Sequence, residues 1–131
     1  MNRALLDTNA YVAFKCKDVR VLEALRFLEE IYVTPVVILE LLVGFKGGSK
    51  ESRNRRELRQ FLNSPRVRLS LVDDVTAEFY AHIFLSLKAK GTPIPANDLW
   101  IASSALQHGL GLITLDRHFA QVDGLIVVDL F

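Results

Sequence analysis

Four carboxylates occupy positions that folding alone does not call for. Asp7 closes the apolar run Ala4-Leu5-Leu6, and Asp116 closes Leu112-Ile113-Thr114-Leu115. Glu40 lies inside the apolar stretch VVILELLVG, and Asp98 opens the segment NDLWIASSAL after Asn97. Each has an ordinary structural reading. Asp98 can be a helix cap or first-turn acid, Asp116 a turn residue, and Asp7 the cap of a following helix. Glu40, in apolar surroundings, needs a partner such as an Arg, or access to solvent. Together the four suggest chemistry. Two carboxylates ~4 Å apart repel by about 4 kcal/mol at an effective dielectric near 20. Such a cluster is tolerable when a divalent cation neutralises it or when protons are taken up. Oxygen ligands without thiolates or clustered imidazoles select Mg²⁺ or Mn²⁺. An ion of that kind suits the hydrolysis of phosphate esters.

A basic segment supplies the complementary half of that chemistry. Residues 46–68 carry Lys46, Lys50, Arg53, Arg55, Arg56, Arg59, Arg66 and Arg68 against Glu51 and Glu57, a net charge of +6. The remainder holds eight basic and thirteen acidic residues, so the overall charge of +1 conceals the asymmetry. A basic arm on an acidic domain points to a polyanion partner, with Lys46, Lys50, Arg53, Arg55, Arg56 and Arg59 as candidate phosphate contacts. A solvated helix face is the alternative reading.

The elements that must position these groups follow from pattern and punctuation. Residues 4–6 form a short apolar strand, and a helix over 18–30 starts at Asp18 as N-cap. Residues 31–33 form a second strand. Thr34-Pro35 opens a helix over 36–43, because Pro at the first helical position gives up no needed donor. A basic helix over 49–62 ends at Asn63-Ser64-Pro65. Val67, Leu69 and Leu71 alternate as a third strand. A long helix runs over 73–90 to Gly91, and another over 97–108 to Gly109. Residues 112–115 and 125–128 are the fourth and fifth strands, with a helical turn at 118–120. Strands alternating with helices predict an α/β fold: a central parallel sheet of about five strands with helices on both faces. In such sheets ligands bind beyond the carboxyl ends of strands, where Asp7 and Asp116 fall.

Composition removes several other classes. The chain has 131 residues, half of them apolar and 24% charged, which suits one folded domain spanning 1–131 and excludes disorder. The single cysteine, Cys16, excludes a disulfide framework and is expected to be an inert small hydrophobe. No run of 18 apolar residues exists, and the segment before Asp7 is too short for a signal peptide. The expected setting is cytoplasmic, away from membranes, with the N-terminus retained. Gly109-Leu110-Gly111 leads into a strand and has Thr114 at the last glycine position, so dinucleotide binding is rejected. Ser103 and Ser104 lack the glycines of a nucleophile elbow. His82, His108 and His118 form no site by spacing. Trp100, Phe79, Phe84 and Phe119 are read as packing or dimer contacts.

The order and context of the acids resemble those of PIN-domain ribonucleases, and among them the VapC-type toxins of prokaryotic toxin–antitoxin pairs. The resemblance rests on LLDTNAYV at 5–12, VVILELLVG at 36–44, IPANDLWIASSAL at 94–106 and LITLDRHF at 112–119. It implies a PIN-like α/β domain that hydrolyses RNA with Mg²⁺ or Mn²⁺, leaving a 3′-hydroxyl and a 5′-phosphate. By motif, Asp7, Glu40, Asp98 and Asp116 match the family's four acids. Thr114 matches a supporting hydroxyl, and Asn9 a polar residue that orients the first acid. The resemblance also implies a homodimer and a cognate antitoxin. Two other functions share these features: a non-catalytic RNA- or partner-binding module on the same fold, and a phosphoryl-accepting regulator or phosphatase. Asp7-Thr8-Asn9 lacks the second aspartate of the common phosphatase signature.

Overall fold

The structure is a computed structural model that describes residues 2–130; the expected domain limits, Met1 and Phe131, lie outside that range. Four parallel strands form the sheet: β1 Arg3–Leu6, β2 Glu30–Val33, β3 Val67–Leu69 and β4 Gly111–Ile113, in the order β3-β2-β1-β4. Register pairs Leu5 with Tyr32 and with Leu112, and Tyr32 with Arg68. Helices α1 Thr8–Lys15 and α2 Val19–Arg26 connect β1 to β2, and α3 Pro35–Lys46 and α4 Glu51–Leu62 connect β2 to β3. Helices α5 Asp74–Lys90 and α6 Ala96–Gln107 then carry the chain back across to β4, on the far side of β1. Right-handed crossovers therefore set α1–α4 and α5–α6 on opposite faces. Strand burial agrees. Ala4, Leu5 and Leu6 of β1 and Leu112 and Ile113 of β4 are all nearly inaccessible, as strands covered on both sides must be.

Local chemistry explains most boundaries. Asp18 accepts the Arg20 N–H at the start of α2, and Thr34 Oγ1 accepts the Val37 N–H with Pro35 next to it. Asp73 and Thr76 form a reciprocal cap on α5, and Gly91 ends that helix at φ 70°, a left-handed conformation that suits glycine. Aromatic contacts seat α4 on α1: the Phe61 ring lies 5.1 Å from that of Tyr11 and 5.6 Å from that of Phe14. Trp100 packs on Tyr80, and Phe119 is fully buried, in line with the packing reading; Phe84 is half exposed.

Several expectations are corrected. The fifth strand is a single parallel bridge, Leu112 to Val127, held by bonds from Leu112 N to Ile126 O and from Val128 N to Leu112 O. The fourth strand ends at Ile113, because β1 stops at Leu6 and offers Leu115 no ladder partner; the Asn9 side chain accepts the Leu115 N–H instead, at 3.0 Å. The third strand buries only Val67, leaving Leu69 and Leu71 exposed on the sheet's edge. Helix α3 continues through Gly44 to Lys46, and the helix expected after Asp7, with Asp7 as its cap, is α1. Cys16 caps α1 and is exposed.

Candidate active site

The strand order changes direction between β1 and β4, and the four acids gather beyond the carboxyl ends of those strands. Asp7 is 4% exposed and serves two purposes at once. Its Oδ1 accepts the Thr8 N–H (2.8 Å) as the cap of α1, while its Oδ2 accepts the Thr114 hydroxyl (2.7 Å). Burial pushes its carboxyl up to about 6; the bonds from Thr114 and Thr8 oppose the rise, and the charges of Asp98 and Glu40 add to it.

Glu40 answers the question its apolar context posed. Its partners are two polar neighbours of the other acids. Oε1 accepts the Thr8 hydroxyl at 2.5 Å and Oε2 accepts the Asn97 amide at 3.3 Å. Asp98 is the first-turn acid of α6, one of its two ordinary readings, while the N-cap position falls to Pro95, which gives no side-chain cap. Its pKa is raised, first by burial and then by Asp116 and Glu40, against an opposing contact from His118. Asp116 caps the 3₁₀ turn Arg117–Gln121 by accepting the His118 N–H at 2.9 Å, and its own N–H donates to Thr114 Oγ1 at 3.0 Å. Thr114 therefore joins two of the acids, donating to Asp7 and accepting from Asp116. Asn9 lies at the same junction, with Oδ1 3.4 Å from Thr114 Oγ1.

Sequence reasoning missed three participants. Thr8 and Asn97 directly precede or follow an acid at a helix start, and that adjacency was the available signal. His118 was set aside, yet its Nδ1 lies 3.2 Å from Asp116 Oδ1 and 3.4 Å from Asp98 Oδ2. Its position two residues after Asp116 was the clue, since an Asp cap binds the second following N–H and folds that residue back over the carboxylate. Asp98, Asp116 and His118 each offer a ligand atom within 4.8 Å of the others. The donor set of carboxylates and one imidazole, with the proton affinity of Asp7 and Asp98 raised first by burial and then by neighbouring acids, fits a divalent cation.

The basic candidates lie on and before α4, with their charge partly spent. Lys46 and Arg55 both approach Glu51 at 3.6 Å, and Arg53 bonds Glu57 at 3.1 Å. Lys50, Arg56 and Arg59 make no ion pair among the described residues. Arg66 donates to the Leu25 and Leu28 carbonyls at and just beyond the end of α2, and Arg68 pairs with Glu30 at 3.3 Å.

A family model described as the PIN domain matches residues 4–125. The chain is 27% identical to Ribonuclease VapC4 of Mycobacterium tuberculosis, over 98% of this chain and 97% of that one. It is 31% identical to Ribonuclease VapC2 of Rickettsia felis, over 94% of each. Its fold is similar to that of a chain in the crystal structure of VapBC2 from Rickettsia felis bound to a DNA fragment from their promoter. That match has a TM-score of 0.86 and 27% identity, covering 96% of this chain and 97% of the other.

Proposed function

The chain belongs to the PIN domain family, and from that premise we propose that it is a Mg²⁺- or Mn²⁺-dependent endoribonuclease, the toxin of a VapBC-type pair. The observation that supports the reading is the junction at Thr114 and Thr8, through which Asp7, Glu40 and Asp116, acids from three separate segments, are joined beyond the strand ends. The names of the relatives, ribonucleases, support the reaction class. The VapBC complex among similar structures supports a protein antitoxin as partner. We propose a cytoplasmic setting; among the described residues no helix is long and apolar enough to cross a membrane. We also propose a homodimer, for which exposed apolar side chains such as Phe84 and Leu85 of α5 offer surface.

Asp7, Glu40, Asp98 and Asp116 would hold the ion. When bound, it supplies positive charge that stabilises a reacting phosphodiester and makes water a better nucleophile. The chain's own groups do the rest. Thr114 fixes the Asp7 oxygen and the Asp116 backbone together, so that the two acids keep one relative geometry. Thr8 and Asn97 clamp the two oxygens of Glu40. Lys50, Arg56 and Arg59 would take the RNA by its phosphates, contacts that carry little sequence information.

Cleavage of total RNA, with ends mapped, tests the proposal. Wild type should cut with Mg²⁺ or Mn²⁺ and stop in EDTA, and Asp7→Asn should be inactive while folded. RNA that binds with steep salt dependence but stays intact across a Mn²⁺ titration would instead identify a non-catalytic binding module.

A further inference from the structure

His118 lies outside the set of acids that the sequence motifs nominate, yet its ring nitrogen lies within 3.4 Å of two of them. Ligand atoms in adjacent positions around an octahedral ion with bonds near 2.1 Å stand about 3 Å apart. The imidazole Nδ1 is 3.2 Å from Asp116 Oδ1 and 3.4 Å from Asp98 Oδ2, close to that spacing on both edges. The ring is held there by its own backbone, because the His118 N–H donates to Asp116 Oδ1 and anchors the first turn of the 3₁₀ segment over the acid. The fully buried Phe119 fixes the next residue in the core.

The geometry points to His118 Nδ1 as a nitrogen ligand that, with Asp98 and Asp116, gives this chain a mixed oxygen–nitrogen cation site that favours Mn²⁺ over Mg²⁺. This rests on the metal-dependent reading above and adds the identity of a ligand and of the preferred ion. The chemistry is direct. Mg²⁺ is hard, keeps its waters and gains little from an imidazole, whereas transition-metal ions form stronger bonds to nitrogen. Asp116 stays bonded to the His118 N–H through Oδ1, which leaves Oδ2 as a further donor from the same side chain.

Mn²⁺ alone is the probe, added to the intact chain at pH 7.5 and followed by electron paramagnetic resonance. Titration gives its affinity, and competition with Mg²⁺ gives the ratio. Electron spin-echo modulation reports whether a ¹⁴N nucleus is bound. Wild type should show ¹⁴N coupling. His118→Ala should lose it, weaken Mn²⁺ binding at least tenfold and change Mg²⁺ affinity no more than two- to threefold. The ring is half exposed, so the variant should fold, and an unchanged melting curve checks this. Mn²⁺ bound by wild type without ¹⁴N coupling, or an unchanged Mn²⁺/Mg²⁺ ratio in the folded variant, overturns the assignment and leaves the metal-dependent reading in place. Wild type that takes up no Mn²⁺, or binding that survives Asp98→Asn combined with Asp116→Asn, overturns both.

Discussion

Replacing Asp7 by Asn should stabilise the metal-free protein, and by an amount that depends on pH. The carboxyl is buried, and its pKa is raised from the ordinary 3.8 to about 6. The folded protein therefore binds this proton more tightly than the unfolded chain does. Stability from this group is fully present below about pH 3.8 and is lost as pH rises toward about 6. Above that, the ionised group costs about 3 kcal/mol. Asn has no charge to desolvate, caps a helix as well as Asp, and keeps an acceptor oxygen for Thr8 or Thr114. Allowing about 1 kcal/mol for an imperfect amide fit, the gain should be about 2 kcal/mol at pH 7.5, or roughly 7 °C in Tm for a chain this size. Near pH 4 it should fall below about 1 kcal/mol. Circular dichroism melts in EDTA from pH 4 to 8 measure this directly, and added Mn²⁺ should raise the Tm of wild type more than that of the variant. An Asp7→Asn protein no more stable than wild type at pH 7.5, with a difference that does not change with pH, would refute the argument that burial dominates this carboxyl.

Thr114→Val removes the hydroxyl that donates to Asp7 and accepts from Asp116. It should raise the Asp7 pKa further, cost about 2 kcal/mol above pH 6 in EDTA, and reduce RNA cleavage without loss of fold, as read by melts and by end-mapped cleavage. Arg56→Glu with Arg59→Glu should weaken RNA binding at every sequence tested and flatten the plot of log affinity against log salt by about 0.7 per lost phosphate contact. Arg66→Ala strips a charged donor from the Leu25 and Leu28 carbonyls. It should cost about 1–3 kcal/mol in denaturant unfolding and leave the cleavage rate of the folded protein unchanged.

Much of the scaffold was legible because its signals act over a few residues. Thr34-Pro35, Asp18 and Gly91 each determine a boundary through a backbone donor or dihedral in their own turn. The fifth strand misled for the opposite reason. Leu125–Val128 has strand-like composition, but a ladder needs a neighbour of matching length, and β4 offers a single bridge. Leu69 and Leu71 alternate correctly, yet β3 is the sheet's outer strand, so alternation did not mean burial.

The amino-acid order by itself determined which side chains are candidates for the chemistry: four acids at element ends or in an apolar helix, a hydroxyl two residues before the last acid, and a basic stretch. Tertiary structure alone decided what surrounds them. Thr114 and Asp7 are 107 positions apart, Asn97 and Glu40 57 apart, and Thr8 and Glu40 32 apart. Charge–charge and desolvation energies depend on distance and burial in space, so the raised proton affinity of Asp7, the partners of Glu40 and the approach of His118 exist only once the sheet has brought those segments together.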